Sequence, residues 1–402
     1  MRNPFNAFVR RGGKLKRRTM SLFGVAFYRL CHLLPICPKT IIFESEGDFC
    51  DNAWVLYQHL RRKGEYRFVW IVRHPERFQC SSDTIFLARF GKGQHWRALY
   101  HYATARFNFF THWTYQPYRP RKGQTVVALW HGMPLKGAKG RNMDYYDYCT
   151  ITCPSPFWMR IQSRFMGHGD EDVPKMLPVG YPRNDLLLRN ISEGIRNPFA
   201  PRNGSTKIIL WMPTFRASSN GHLSETALDN DTGLPLLSTE AALREFNEFL
   251  LTTGVSIIIK IHHLQANKPS FGKRFSNIVM LSDEMIAKNG LQLYEIVGKS
   301  DALLTDYSSI LFDYLLTDKP EGFILDDFAE YEKSRGFLMD ASAVKSYLRG
   351  HHICSLAELK GFVRDVFEGK DPYQDQRRQL CDTMHVAKNG DACERICERL
   401  GL

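Results

Sequence analysis

Short apolar runs alternate with stretches in which apolar residues recur at helical spacing. In the first half, apolar runs predict strands at Thr40–Glu44, Phe68–Val72, Thr84–Leu87, Phe107–Thr111 and Thr125–Trp130. A second series predicts strands at Lys207–Trp211, Val255–Ile261, Ile278–Leu281, Ala302–Thr305 and Glu321–Leu325. Helical spacing falls between them at Asn52–Arg62, Gln94–Ala105, Glu240–Leu251, Leu291–Ile296 and Ser309–Leu316. Strands that alternate with helices in this way are typical of a parallel α/β sheet.

The polar stretch Asn190–Ser205, which contains Pro, Gly and Asn, predicts a boundary between two domains. We therefore expect an α/β fold with two Rossmann-like domains that face a cleft. The predicted parts of the chain are a basic amphipathic segment at 1–38, an N-terminal domain at 39–195, a C-terminal domain at 205–375 and a helical segment at 376–402. A chain of 402 residues is long enough for such a pair. Ligands of α/β folds bind at the carboxyl ends of the strands.

The charge is concentrated at the N-terminus. Nine Lys and Arg residues and no acidic residue precede Glu44, so this segment carries most of the chain's net charge of +12. Since the rest of the chain has no basic stripe, a nucleic-acid partner is not expected. Bulky apolar residues interleave with these charges, which favours a peripheral segment on an anionic membrane surface; the alternative is a solvated tail followed by a packed helix. No apolar stretch approaches about 18 residues, and no signal-peptide pattern is present.

The ten cysteines do not form a dense framework. Cys393 and Cys397 lie four residues apart in a predicted helix, and we expect them to be reduced and buried. Cys149 and Cys153 lack the second ligand pair that a zinc site needs, so a structural metal is not predicted there.

Polar residues follow the predicted strands. His131 and Gly132 come directly after TVVALW, where a histidine could act as a general base or simply cap a turn. Lys136 lies close enough in sequence to meet an anion. The turn GYPRND presents Arg183 and Asp185, although the same pattern describes an ordinary strand-to-helix turn.

The second series of strands ends in a similar way. Thr214 and Arg216 follow KIILW, and Lys260 and His262 end the strand VSIIIKI, where their spacing of two suits a diphosphate. In TDYSSILFD, the hydroxyls and free amides at a helix start form either an anion site or a plain N-cap at Asp306. A metal pair at His262 and His263 is disfavoured because adjacent side chains diverge on an extended backbone.

The motifs WHGMPLK, GYPRND, MPTFR, KIH and TDYSSILFDY, in this order, resemble those of the CDP-glycerol glycerophosphotransferase family, which includes teichoic acid primases and polymerases and capsule-synthesis transferases. The resemblance extends from about Thr40 to Asp340. It implies a GT-B-like fold with the donor nucleotide bound by the C-terminal domain. It also implies transfer of glycerol phosphate from CDP-glycerol to a lipid-linked saccharide or growing polymer at the cytoplasmic membrane face, with release of CMP.

The resemblance also implies roles for particular residues. His131 would accept the proton of the acceptor hydroxyl, and His262 would be the second catalytic histidine, beside the pyrophosphate. Substrate-binding positions would be Gly132, Lys136, Arg183, Asp185, Pro213, Thr214, Arg216, Lys260, Thr305, Asp306, Ser308, Ser309 and Asp313. No cofactor is obligatory, although Mg²⁺ could assist at the diphosphate. Met133, His263 and Ala217 depart from the residues usual in the family.

Three alternatives remain at this stage. The transferred unit could be ribitol phosphate from CDP-ribitol. The fold could instead serve a glycosyltransferase that uses a nucleotide sugar, since one architecture hosts many chemistries. The chain could also be a membrane-binding scaffold that acts through its basic segment alone and needs neither His131 nor His262.

Overall fold

The computed structural model describes most of the chain in two compact units. The described residues are 23–89, 96–112, 114, 116, 119–135, 148–167, 169–192, 197–201, 204–214, 230–260, 275–334, 336–339 and 341–402. Among them, unit 1 contains the residues up to 131 together with 148–152 and 174–177, and unit 2 contains the others. Residues 153–173 and 178–192 thus belong to unit 2, whereas the predicted N-terminal domain extends to 195. The division into an acceptor and a donor domain stays a prediction.

Unit 1 contains a seven-stranded sheet in the order β3-β2-β1-β4-β5-β6-β7, and its described strand pairs are parallel. The strands are β1 (Cys37–Glu44), β2 (Arg67–Val72), β3 (Thr84–Ala88), β4 (Ala105–Phe110), β5 (Thr125–Ala128), β6 (Thr150–Cys153) and β7 (Met176–Pro178). Its helices are α1 (23–31), α2 (Asp51–Lys63) and α3 (Trp96–Thr104).

Unit 2 contains a six-stranded parallel sheet in the order β10-β9-β8-β11-β12-β13. These strands are β8 (Lys207–Met212), β9 (Val255–Lys260), β10 (Ile278–Leu281), β11 (Ala302–Thr305), β12 (Glu321–Ile324) and β13 (His351–Ile353). The helices are α4 (Pro156–Phe165), α5 (Pro182–Ser192), α6 (Glu240–Thr253), α7 (Asp283–Lys288), α8 (Leu293–Gly298), α9 (Ile310–Tyr314), α10 (Phe328–Ser334), α11 (Ala341–Tyr347), α12 (Leu356–Glu368), α13 (Gln374–Met384) and α14 (Ala392–Leu400).

An aromatic ladder crosses the centre of the first sheet. Phe43 on β1 lies opposite Trp70 on β2 and Phe109 on β4 in the strand register. Its ring stacks on both, with centroids 5.2 Å and 5.4 Å away. Because neighbouring parallel strands in register place equivalent side chains side by side, three aromatic residues fix the alignment of three strands.

Alternate residues of the second sheet build its core. Ile209 and Trp211 on β8 share a face with Ile257 and Ile259 on β9, and all four are buried. The apolar sides of α6 and α12 cover this face. Helix α6 begins after Thr239, whose hydroxyl accepts the amide of Ala242.

The prediction of an α/β fold with two parallel sheets is confirmed. All ten predicted strands are present, with ends that shift by a few residues. The short strands β6, β7 and β13 and the helices α4, α7, α10, α11 and α12 were not predicted. Within the described part of the chain, no helix is long and apolar enough to cross a membrane.

A buried carboxyl group in β12 makes the stability of unit 2 depend on pH. Glu321 is fully buried, and neither of its side-chain oxygens has a hydrogen-bond partner among the described residues. Burial raises the pKa of Glu321 well above its usual 4.5, and the nearby charge of Arg377 lowers it only in part. The folded state therefore holds this proton at pH values where the unfolded chain has lost it, so its contribution to stability is lost as pH rises.

We predict that Glu321→Gln unfolds at a higher temperature than the natural chain, and that the difference widens between about pH 5 and pH 8. The amide keeps the shape of the acid and has no proton to lose. Thermal unfolding followed by circular dichroism at several pH values measures the difference. Glu248→Gln, at an exposed position of α6, is the matched control and should show no such trend. A difference that stays constant with pH would contradict the prediction.

Candidate active site

The backbone before His131 is held in an unusual conformation. Trp130 has a positive φ of 57°, which is costly for a residue with a side chain. The buried side-chain amide of Asn52, at the start of α2, donates to the carbonyls of Leu129 (3.3 Å) and Trp130 (2.9 Å). The Thr152 hydroxyl donates to the Leu129 carbonyl at 2.8 Å. These bonds stabilise a sharp turn directly after β5 and fix the position of the next residue.

One ring nitrogen of His131 forms a hydrogen bond with the backbone. Nδ1 of His131 lies 3.3 Å from the backbone carbonyl of Thr111, which follows β4. A carbonyl can only accept, so we assign the proton of the neutral ring to Nδ1. The other nitrogen, Nε2, then carries the lone pair. This tautomer is the one that a general base acting through Nε2 requires.

Gly132 cannot be replaced without moving its neighbours. Its φ is 143°, a conformation that residues with side chains rarely adopt. A Cβ atom at this position would lie 2.5 Å from the Ser309 hydroxyl oxygen and 3.4 Å from Nη2 of Arg183. Gly132, Arg183 and Ser309, which the sequence analysis predicts to be substrate-binding residues, therefore lie together in the structure.

A buried carboxylate lies beside them. Asp313 in α9 is inaccessible to solvent and accepts hydrogen bonds from Nη2 of Arg183 (2.7 Å), Nδ2 of Asn184 (3.1 Å) and the Tyr294 hydroxyl. The Arg183 guanidinium also lies over the Tyr294 ring, 4.6 Å from its centroid. A buried ion pair needs further hydrogen bonds to offset the loss of solvation, and the Asp313 carboxylate receives two besides the one from Arg183.

Asp185 is occupied by the backbone of another helix. Its two carboxylate oxygens accept the amides of Ala392 (2.8 Å) and Cys393 (2.7 Å) at the start of α14. Burial raises the pKa of Asp185, and these two bonds oppose that rise. Close by along the chain, Nε2 of the buried His385 donates to the Phe312 carbonyl at 2.7 Å. The C-terminal segment therefore packs on both α5 and α9.

Four of the predicted substrate-binding residues, Pro213, Thr214, Thr305 and Asp306, lie at the carboxyl edge of the second sheet. Both oxygens of Asp306 accept the amide of Thr214 at 2.9 Å, and Pro213 leads into that residue. The Thr305 hydroxyl donates to the Met212 carbonyl at 2.7 Å, joining β11 to β8. The Thr214 hydroxyl is buried and has no hydrogen-bond partner among the described residues.

The remaining predicted site residues lie elsewhere in unit 2 or outside the described residues. Nζ of Lys260, at the end of β9, lies 2.9 Å from Oδ1 of the exposed Asp283. The backbone carbonyls of Ser308 and Ser309 accept amides of α9, a helix of only five residues. Lys136, Arg216 and His262 lie outside the described residues. In the part of the chain that is described, no cluster of three metal-ligating side chains is present.

Sequence reasoning missed the side chains that hold these residues in place. Thr152 and Tyr294 carry no motif, and Asn52, although it lies in FESEGDFCDNAW, a segment that fits the family, was given no role. Their partners are 19 to 78 positions away in the chain. Asn184 lies inside GYPRND, but nothing local shows that its amide binds Asp313. Only the strand order, which places the ends of β1, β4, β5 and β6 side by side, could have suggested Asn52 and Thr152.

We predict that Asp313→Ala destabilises the fold by about 3–5 kcal/mol, because it leaves the Arg183 guanidinium buried without its counter-charge. Urea unfolding measures the loss. Replacing both partners, as Arg183→Met with Asp313→Ala, should recover part of it. Asp375→Ala, at a position where the side chain is 90% exposed, is the control and should change stability by less than about 0.5 kcal/mol. A cost for Asp313→Ala as small as that of the control would refute the role assigned to Asp313.

The chain is similar in sequence to teichoic acid polymerases, primases and transferases. A teichoic acid poly(glycerol phosphate) polymerase of Staphylococcus epidermidis is 25% identical over 89% of this chain, which spans 50% of that protein. A teichoic acid ribitol-phosphate primase of Bacillus spizizenii is 25% identical over 79% of this chain and 80% of its own length. A teichoic acid glycerol-phosphate transferase of Staphylococcus aureus is 27% identical over 96% of this chain and 99% of its own.

The fold has a solved counterpart. A histidine-to-asparagine variant of the wall teichoic acid polymerase TagF, soaked with CDPG, superposes with a TM-score of 0.70 at 21% identity, covering 98% of this chain and 97% of that one. The sequence profile of the CDP-Glycerol:Poly(glycerophosphate) glycerophosphotransferase family matches residues 26–402. This match covers nearly the whole chain, and the chain is therefore a transferase that belongs to the CDP-glycerol:poly(glycerophosphate) glycerophosphotransferase family.

Proposed function

We propose that this protein transfers glycerol phosphate from CDP-glycerol to a hydroxyl of a membrane-associated acceptor, either a lipid-linked saccharide or a growing teichoic-acid-like or capsular polymer. The single observation that carries the proposal is the hydrogen bond between Nδ1 of His131 and the backbone carbonyl of Thr111. The chain belongs to this family, and His131 lies just after the carboxyl end of β5. Its Nε2 is then the atom that can take a proton.

The reaction is a phosphoryl transfer. The acceptor oxygen forms a bond to the phosphorus that carries glycerol, and the bond from that phosphorus to the bridging oxygen breaks. The bridging oxygen leaves with the electron pair as part of CMP, and the acceptor proton passes to Nε2 of His131. Such reactions depend on positioning and on stabilisation of charge more than on covalent catalysis. Proton transfer to a positioned base contributes about 10²–10⁴-fold.

The pyrophosphate needs cations and hydrogen-bond donors around it. We assign this work to Lys260, His262 and Arg216, with Lys136 and the hydroxyls of Ser308 and Ser309. The ion pair of Lys260 with Asp283 supports this, because an exposed carboxylate can be exchanged for phosphate at modest cost. The Thr214 hydroxyl, which has no partner among the residues that the structure describes, offers a further donor.

Arg183 and Asp185 have a different task in this scheme. The ion pair with Asp313 holds the Arg183 guanidinium beside Gly132 and Ser309, so it shapes the wall of the site. Asp185, with both oxygens bound to α14, supports that wall from behind. We assign no obligatory metal; Mg²⁺ could assist at the diphosphate and is added or withheld in the experiment below.

We predict that CDP-glycerol raises the unfolding temperature more than CDP-ribitol or UDP-glucose does. A ligand at a hundred times its dissociation constant stabilises by about 2.7 kcal/mol, which a thermal-shift assay detects readily. With a synthetic lipid-tailed glycerol phosphate oligomer in detergent, CDP-glycerol should also yield CMP and a lengthened acceptor. A stronger response to CDP-ribitol would move the assignment to ribitol phosphate, and a stronger response to UDP-glucose would contradict phosphoryl transfer altogether.

His131→Asn is the variant that separates binding from chemistry in this assay. It should keep the shift produced by CDP-glycerol and lose at least about a hundredfold in turnover, because asparagine does not accept the proton. A membrane-binding scaffold would show no CMP release in either protein. Parallel reactions with Mg²⁺ and with EDTA show whether a divalent ion contributes.

The acceptor's lipid requires a membrane-facing surface, and α1 supports one. Phe23, Ala26 and Leu30 of α1 and Leu33 in the turn that follows recur every three or four residues and are exposed, the three large side chains by 62% to 81%. The opposite side of α1, with Tyr28, is buried in unit 1. Exposed apolar stripes of this kind are rare on a surface that faces only water.

The rest of unit 1 holds this stripe in place and extends it. The Tyr28 hydroxyl donates to the Arg119 carbonyl, and the Arg121 guanidinium donates to carbonyls just after α1. Trp96 and Tyr100, one turn apart on α3, are also exposed, and the Phe27 ring packs edge-on against Trp96. Aromatic residues favour the membrane–water interface, and basic residues around them favour anionic lipid. We therefore propose peripheral attachment at the cytoplasmic face of the membrane.

We predict that Leu30→Ser together with Leu33→Ser weakens binding to phosphatidylglycerol-containing vesicles by at least about tenfold, since each exposed leucine would lose its burial in lipid. Co-sedimentation of the full chain with vesicles measures this. Binding should also fall as salt is raised, because basic residues contribute. Leu251→Ser, at an exposed leucine of α6 in unit 2, is the matched control and should bind as the natural chain does. Equal binding by all three proteins would rule out this surface.

A further inference from the structure

A second imidazole lies face to face with His131. The rings of His112 and His131 are nearly parallel, with an interplanar angle of 8° and centroids 3.8 Å apart. No motif in the sequence singles out His112. Both histidines come shortly after neighbouring strands, β4 and β5, at the carboxyl edge of the first sheet.

The fold builds this stack from the backbone upward. Phe110 pairs with Ala128 in the register of β4 and β5, and the Leu129 amide donates to the Phe110 carbonyl at 2.7 Å. The left-handed turn at Trp130 then redirects the chain so that the His131 ring lies on that of His112. Because the conformation at Trp130 is costly, the bonds that hold it there also maintain the stack.

Thr111 joins the two rings. Its carbonyl accepts from Nδ1 of His131, and its hydroxyl oxygen lies 3.0 Å from Nδ1 of His112. The same hydroxyl oxygen accepts the amide of Glu46 at 3.3 Å. Thr111 is completely buried, so this arrangement is a fixed part of unit 1.

The hydrogen bond to Thr111 does not by itself fix the plane of the His131 imidazole. The torsion that rotates a histidine ring has a broad minimum, and the bond from His131 to Thr111 is long at 3.3 Å. The parallel His112 ring at 3.8 Å, together with the tilted Trp130 ring at 4.3 Å, restricts the tilt of the His131 ring that the hydrogen bond leaves free. The direction of the Nε2 lone pair is thereby set, and a base displaced by about 1 Å can lose about 10² in rate.

We propose that His112 is a positioning residue for His131: it holds the plane of the His131 ring so that Nε2 faces the acceptor hydroxyl. This rests on the proposed function, in which His131 is the base. His112 does not touch the reacting atoms in this account. Its own ring is oriented by the Thr111 hydroxyl, so a ring of the same shape without that bond should replace it only in part.

A double-mutant cycle tests the proposal, with CMP release from radiolabelled CDP-glycerol and the lipid-tailed glycerol phosphate oligomer as the readout. His112→Ala should lower kcat by about ten- to thirtyfold while KM for CDP-glycerol changes by less than about twofold. His112→Phe, which keeps a flat ring but not the bond to Thr111, should recover part of the loss. In a His131→Asn background, His112→Ala should change the residual rate by less than about twofold, because the residue acts only through His131. Thermal unfolding verifies that each variant is folded.

The outcomes separate this inference from the function beneath it. If His131→Asn retains nearly full turnover, the base assignment fails and the inference fails with it. If His131→Asn is inactive but His112→Ala keeps the natural kcat, the function stands and the positioning role is overturned. The same holds if His112→Ala lowers the residual rate of His131→Asn as much as it lowers the rate of the natural chain. An equal loss in His112→Phe and His112→Ala would also overturn it. His352→Ala, an exposed histidine of β13, should match the natural chain.

Discussion

The constraint on which unit 2 depends most is the buried carboxylate of Asp313. It accepts bonds from Arg183 and Asn184 at the start of α5 and from Tyr294 in α8, so three helices meet at one charge. Since an unpaired buried charge is costly, none of these helices can shift without breaking several bonds together. The residue at Gly132 must be a glycine because the Ser309 hydroxyl and the Arg183 guanidinium occupy the space beside it.

Unit 1 achieves rigidity by a different means, with backbone carbonyls held by neutral side chains. The amide of Asn52 and the hydroxyl of Thr152 bind the carbonyls before His131, and the Thr111 carbonyl binds the ring itself. No charge is neutralised in these contacts, so they fix geometry without altering the local field. A base needs this arrangement, because its direction must be set while its lone pair stays available.

The strand pattern and the motifs predicted much of this from sequence. Alternation of apolar runs gave ten strands in two parallel sheets, because buried parallel strands are continuously apolar. The short strands β6, β7 and β13 have three or four residues each, too few to show a pattern. GYPRND and TDYSSILFD are both visible as motifs in the sequence. Their mutual contact, between Arg183 and Asp313, joins residues 130 positions apart and follows only from the fold. Tyr294 and His112 had no local signal, since their roles depend on what lies opposite them in space.

The most direct test of the whole account follows the acceptor oxygen. An acceptor carrying oxygen-18 in its terminal hydroxyl is incubated with the protein and CDP-glycerol, and the products are analysed by mass spectrometry and phosphorus NMR. Attack on the phosphorus that carries glycerol predicts that the label bridges the new phosphodiester and that unlabelled CMP is released. Release of CDP, with the label bridging two carbons in an ether, would show that a glycerol carbon and not a phosphorus is attacked, and would contradict the account.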